Sequence, residues 1–167
     1  MSRTTADQEF DDFVAASWRR LHWTAYLLTG DSHLAEDLAQ TALVRTYARW
    51  SHVRRDDALA YARKVLVNAN TDRLRRRRLR EVRVEVDQPA PPVTDLEDRD
   101  ELVRLLASLT ARERRVVALR HYFDLSEAAV AAELGISVGT VKSTSSKALA
   151  KLRARTGTTN YDESGLR

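Results

Sequence analysis

No cysteine occurs in the 167 residues. Disulfide staples and thiolate metal sites are therefore excluded, and a reducing compartment fits. Only five glycines and three prolines interrupt the chain, so long helices meet few breakers. No run approaches the ~20 apolar residues of a membrane span, and Met1–Phe10 lack the apolar core of a signal peptide. These absences predict a cytoplasmic protein without direct membrane insertion. The four histidines, His22, His33, His52 and His121, lack metal-ligand spacing, and no Gly-rich phosphate loop is present. His33 with Asp37 is the one pair at helical spacing, and it reads as surface polarity. The chain is thus expected to hold no metal or cofactor, to act on no small-molecule substrate and to be no enzyme.

The apolar fraction is 43% and the charged fraction 31%, with Ala, Leu, Arg and Glu abundant. This composition predicts an all-α protein with packed cores. The net charge is +4 and the pI about 9.7, but the distribution says more. Seven arginines fall between Arg73 and Arg83, at 73, 75, 76, 77, 78, 80 and 83. Glu85, Asp87, Asp95, Glu97, Asp98 and Asp100 follow, with Arg99 the one base among them. The chain is electrically divided, and a nucleic-acid partner is expected for its basic part.

Apolar periodicity predicts a first helix through Phe10, Phe13, Val14, Trp18, Leu21 and Leu28, stopped by Gly30. A second is expected over about 32–50, capped by Asp31 or Ser32. A third begins near Ala58 and runs towards Leu79, after a polar loop at 51–57. Residues 86–94 hold all three prolines and read as an extended linker. Thr94 with Glu97 could restart helix as a capping box. Helices are then expected over about 95–108, from Thr110 with a second capping box to Glu113, and after caps at Ser126 and Ser137. The expected organisation is two small helical domains, 1–84 and 98–155, joined by a Pro-containing linker at 85–97. A frayed tail is expected over 156–167.

The sharpest motif spans 125–143. Gly135 can end a helix in the left-handed conformation, Ala131 is small enough for a close crossing, and Ile136 and Val141 plug a core opposite Val130 and Leu134. Ser137 caps the second helix and opens its first turn to phosphate. Thr140, Lys142, Ser143, Ser146 and Lys147 then share an outer face suited to phosphate clamping and base edges in a major groove. The pattern is a helix-turn-helix, and an inert helical hairpin is the weaker reading.

Two further segments are less specific alone. Asn68, Asn70, Thr71 and Asp72 precede the arginines on an apolar helical stripe. They could read bases while arginines such as Arg75 and Arg76 hold the backbone, unless the run is merely a solvated charged end. Glu36, Asp37 and Gln40 project together from the second helix. They repel phosphate, so they suit a basic protein surface or form a solvated face.

In sequence order, three segments resemble extracytoplasmic-function sigma factors, and most of all an actinobacterial subgroup. Ala35-Glu-Asp-Leu-Ala-Gln40 ahead of Tyr47-Ala-Arg-Trp50 resembles the polymerase-binding helix. Ala60–Leu74 with its arginine tail resembles the −10 element reader. Leu109–Arg120 followed by the helix-turn-helix resembles the −35 reader. The resemblance implies a transcription initiation factor with sigma regions 2 and 4, which binds core RNA polymerase and directs it to promoter DNA. It assigns Glu36, Asp37, Gln40 and Thr41 to the clamp helices of the largest polymerase subunit. It assigns Asn68, Asn70, Thr71, Asp72, Arg75 and Arg76 to the −10 element, with the 51–57 loop helping to hold a flipped base. It assigns Ser137, Thr140, Lys142, Ser143, Ser146 and Lys147 to the −35 duplex. An anti-sigma factor is a further partner of many relatives. Thr41 stands where many relatives carry an acid, Leu43 where phenylalanine is frequent, and Ser145 and Ser146 where bulkier residues are common. The competing reading is a polymerase-independent helix-turn-helix regulator, which would leave the first domain without a role.

Overall fold

In a computed structural model, residues 3–81 and 99–157 are described. The chain divides into two compact units, Met1–Thr94 and Asp95–Arg167. The expected linker at 85–97, the Thr94/Glu97 capping box, Arg83 and nearly all of the expected tail lie outside the described residues.

The first unit packs three helices, α1 (Arg3–Thr29), α2 (Ser32–Ala48) and α3 (Ala58–Glu81). Gly30, at φ 67°, ends α1 in the left-handed conformation that a side chain would resist. Asp31 caps α2 by accepting the Leu34 N–H at 2.8 Å. Leu21, Ala25, Ala35, Ala39, Ala42, Ala62 and Leu66 are fully buried; the alanines let the helices approach closely. Thr24 and Thr46 are buried too, and each satisfies its hydroxyl by donating to the carbonyl four residues back, at 2.7 Å.

The expected polar loop between α2 and α3 is more ordered than its composition suggests. It forms two 3-10 turns, Trp50–His52 and Arg55–Asp57. Trp50, expected as the last residue of α2, instead opens the first turn. Its ring is 4% exposed and packs on Phe10 and Phe13, with centroids 5.0 and 5.2 Å away.

The second unit contains α4 (Arg99–Ala107), α5 (Ala111–Val117), α6 (Glu127–Leu134) and α7 (Val138–Thr156). Its core is Val103, Leu106, Val116, Leu119, Val130, Val141 and Ala148. Both halves of the Thr110–Glu113 capping box are present. α5 continues as a π turn over Ala118–Tyr122, which sequence periodicity did not predict. Phe123 N–H reaches back to the Ala118 carbonyl at 3.2 Å, and Asp124 follows at φ 52°, a conformation that aspartate tolerates better than most residues.

Candidate polymerase and nucleic-acid interfaces

On α2 the buried side is Ala35, Leu38, Ala39, Ala42, Leu43 and Thr46. Helical periodicity therefore turns Glu36, Asp37 and Gln40 outward, and all three are exposed. Gln40 Nε2 donates to Glu36 Oε1 at 3.2 Å, which holds the two polar heads as one patch. Thr41 is half-buried at its edge.

The structure sorts the expected −10 residues into different environments. Asn68 is exposed and lines a cleft of about 310 Å³ with Arg45, Ala48, Arg49, Tyr61 and Val65. Asn70 is the correction: it is 1% exposed. Its Oδ1 accepts from Arg73 Nη2 and Nε at 3.2 and 3.4 Å. A base cannot reach it there, and its amide instead fixes the Arg73 guanidinium. Burial, with Arg77 nearby and Asp31 opposing, lowers the Arg73 pKa from its ordinary value. Thr71 is half-buried, and its hydroxyl donates to the Val67 carbonyl at 2.9 Å. Asp72 accepts from Arg75 at 3.3 Å.

Helical phase also divides the arginine run. Arg73, Arg76, Arg77 and Arg80 share a groove of about 680 Å³ with Asp72 and with Asp37, Thr41 and Arg45 of α2. Arg75 and Arg78 are exposed outside that lining. Residues expected to face polymerase and residues expected to face DNA thus meet in one groove. Arg45, Arg49 and Tyr61 were not singled out in the sequence. Their spacing from Asn68 along the two helices was the available signal.

The second unit carries the expected helix-turn-helix. Ser126 accepts the Ala129 N–H at 3.1 Å, Gly135 turns the chain at φ 65°, and Ile136 N–H closes the turn on Ala131 O at 3.1 Å. Ser137 Oγ accepts the Thr140 N–H at 3.1 Å and lies 2.8 Å from Thr140 Oγ1. The Thr140 hydroxyl is therefore engaged by the cap and half-buried. Lys142, Ser143, Ser146 and Lys147 are exposed on α7. Lys142 Nζ lies 3.7 Å from Glu127 on α6, a loose surface pair that phosphate can displace. Ser143 donates to the Thr140 carbonyl at 3.2 Å.

Behind this face, Lys151 Nζ of α7 donates to both Glu113 oxygens, at 2.8 and 2.9 Å. Burial pushes the Glu113 carboxyl up, but the hydrogen bonds from Lys151 and Thr110 outweigh it, and its pKa falls below the ordinary 4.5. Among the described residues no three His, Asp or Glu side chains gather as a metal site requires. No described helix is long and apolar enough to cross a membrane.

Comparison with known proteins gives these two units a class. Residues 13–80 match sigma-70 region 2, and residues 99–152 match sigma-70 region 4. Together they define a sigma factor, which directs core RNA polymerase to promoter DNA in transcription initiation. The RNA polymerase sigma-E factor of Streptomyces coelicolor is 42% identical over 87% of this chain and 84% of its own. The ECF RNA polymerase sigma factor SigL of Mycobacterium tuberculosis is 34% identical over 86% and 84%. The fold also matches the sigma factor RpoE of Bartonella quintana, co-crystallised with the anti-sigma factor NepR. The TM-score is 0.72 at 24% identity, over 92% of this chain and 99% of that one. The chain belongs to the extracytoplasmic-function (ECF) RNA polymerase sigma factors, in their actinobacterial form.

Proposed function

We propose that Glu36, Asp37 and Gln40, bordered by Thr41, dock on the clamp helices of the largest polymerase subunit. The observation that carries this reading is the outward polar patch of α2, held by the Gln40–Glu36 hydrogen bond opposite a mostly apolar inner side. Acidic groups suit a basic protein surface and repel DNA. On the same unit, Asn68, Asp72 and the exposed Arg75 and Arg76 contact the −10 element, while Asn70 and Thr71 shape the helix behind them. The 51–57 loop and the cleft at Arg49, Tyr61 and Asn68 receive a flipped base. Unstacking costs a few kcal/mol per step, which polymerase contacts and the base seat together offset.

Ser137, Lys142, Ser143, Ser146 and Lys147 face the −35 duplex, with Thr140 supporting the helix start. The functional domains are 1–84 and 98–155. Each reader is weak alone, and docking on polymerase joins them so that both bind at once. The protein works in the cytoplasm, by binding and without chemistry of its own. An anti-sigma factor competing for the α2 patch is a natural regulator.

The test measures binding of labelled full-length protein to purified core RNA polymerase, with an Asp37→Ala/Gln40→Ala variant beside it. Tight binding that is lost in the variant supports the clamp contact. Equal binding by both proteins places the contact elsewhere. Specific duplex binding by the protein alone, with no affinity for polymerase, rejects the reading.

A further inference from the structure

The loop between α2 and α3 is closed by short-range bonds, each within a few residues. His52 N–H reaches Arg49 O at 2.8 Å, Val53 N–H reaches Arg49 O at 3.1 Å, and Asp57 N–H reaches Arg54 O at 3.0 Å. Arg55, in the second 3-10 turn, ties back to the first with its side chain. Arg55 Nη1 donates to the carbonyls of Trp50 at 2.8 Å and Val53 at 3.0 Å. Its guanidinium carbon sits 4.1 Å from the centre of the Trp50 ring, within cation–π range. Its Nε donates to Glu9 Oε2 of α1 at 2.9 Å.

Guanidinium alone among the basic side chains offers several donors in a rigid planar fork. Here Nε and Nη1 of that fork are engaged by the protein, while the side chain keeps 39% exposure. The Trp50 ring is held between Arg55 and the phenyl rings of Phe10 and Phe13, and its buried indole N–H has no acceptor among the described residues. The ring is therefore located by packing and by Arg55. One turn before Trp50, the Tyr47 hydroxyl donates to Asp7 Oδ1 at 2.6 Å, a second tie to α1. The 50–57 loop is thus fixed from one side by the first turns of α1, through partners 40 and 46 residues away in sequence.

We propose that Arg55, anchored by Glu9, is a positioning residue for promoter opening, which holds the 50–57 loop in the shape that receives the flipped −10 base. The inference rests on the reading of that loop as the base seat. A seat for an unstacked base needs its walls held within about 0.5 Å, and the backbone bonds of this loop do not supply that alone. Glu9 and Asp7 of α1 thereby influence DNA opening without touching DNA.

The competing role for Arg55 is direct contact with phosphate, and the two differ in sign at Glu9. Removing the Glu9 charge frees Arg55 for phosphate but loosens the loop. Core polymerase reconstituted with full-length Glu9→Gln, Arg55→Lys or Arg55→Ala would be assayed for opening, by permanganate reactivity of the −10 region. The assay is run on duplex promoter and on a promoter premelted there. Ser51→Ala and His52→Ala, both in the loop, report on the base seat itself.

Opening of duplex promoter should fall about three- to tenfold in Glu9→Gln and about tenfold or more in Arg55→Ala, as expected for losing one and several charge-assisted contacts. Arg55→Lys should rescue little, because an ammonium cannot reproduce the fork. Polymerase affinity should hold within about twofold, since neither residue lies on the α2 patch. Premelted promoter should recover activity but with weakened preference at the flipped base. Unchanged or increased opening in Glu9→Gln, while Ser51→Ala or His52→Ala alters base preference, overturns the positioning role and leaves the base seat standing. No effect on base preference in either loop variant removes the seat, and the inference falls with it. Glu9→Gln is a conservative change at a partly exposed position, so it tests the idea even if Arg55→Ala misfolds.

Discussion

Replacing Glu113 separates two interactions that the structure places on one carboxylate. Glu113 Oε2 accepts the Thr110 N–H at 2.9 Å to complete the capping box, and both oxygens accept from Lys151. The Glu113 side chain is 9% exposed and that of Lys151 47%. Losing the Glu113 half of the box costs at most the about 0.5–2 kcal/mol of a whole cap, since Thr110 Oγ1 still accepts the N–H of residue 113. Because Lys151 can return to water, the ion pair itself contributes nearer 0.2–1 kcal/mol. Glu113→Ala should therefore destabilise the second unit by about 2 kcal/mol, or about 30-fold in the opening constant read from amide hydrogen exchange of α5 and α7. Glu113→Gln keeps a capping-box acceptor and should lose under about 1 kcal/mol. The folded carboxyl titrates below its ordinary 4.5. Its contribution is thus complete above pH 4.5, declines as pH falls through the lower folded value, and is absent below both. Glu113→Gln should flatten that decline. If the glutamine variant were as unstable as the alanine variant, charge pairing and not capping would dominate, and this reasoning would be wrong.

Gly135→Ala should cost about 1–2 kcal/mol from the left-handed backbone alone, because an added Cβ meets nothing within 4 Å; thermal unfolding of the second unit measures it, and a neutral result would contradict the helix stop. Lys142→Ala should leave stability within about 0.5 kcal/mol, as its pair with Glu127 is exposed, yet weaken −35 recognition in a holoenzyme binding assay. An unaltered −35 preference would displace the recognition face from Lys142. Asn70→Ala should destabilise the first unit by about 1–2 kcal/mol by removing the buried acceptor for Arg73. It should leave −10 sequence preference unchanged, and a switch in preferred base would restore Asn70 to the reading surface.

What could be read in advance depended on the range of the interaction. Caps at Asp31, Thr110, Ser126 and Ser137, and stops at Gly30 and Gly135, are fixed by neighbours within four residues, and the structure contains each one. The three segments that carried the family resemblance likewise kept their order, and the matches to regions 2 and 4 enclose them. Asn70 was expected on the outer face but is buried, and a signal for that existed: Ala62, Leu66 and Asn70 lie at four-residue steps on the buried side of α3. An asparagine amid residues expected to read bases drew attention to its chemistry and away from its phase. The Arg55–Glu9 and Tyr47–Asp7 ties span 46 and 40 residues, and no local pattern encodes them. The π turn at Ala118–Tyr122 depends on how Phe123 seats in the core, which periodicity does not register.

The groove between α2 and α3 sets the proposed acidic polymerase contact beside the proposed basic DNA contact. A run of arginines in sequence suggests a uniform cationic surface. Helical phase instead sets Arg73, Arg76, Arg77 and Arg80 beside Asp37 and Asp72, and Asn70 holds Arg73 inward. Charges that line one groove are screened from one another only beyond the ~8 Å Debye length at physiological salt. Salt therefore does not isolate its charges from one another. While Asp37 is exposed, it offsets part of the field that draws phosphate towards the arginines. A basic partner seated on Asp37 cancels that offset and strengthens the arginine field for DNA. By linkage, DNA on the arginines tightens the partner's hold on Asp37 to the same extent. If the proposed contacts hold, DNA binding should depend on polymerase in part through charge placement within the first unit, in addition to the avidity gained by joining the two readers.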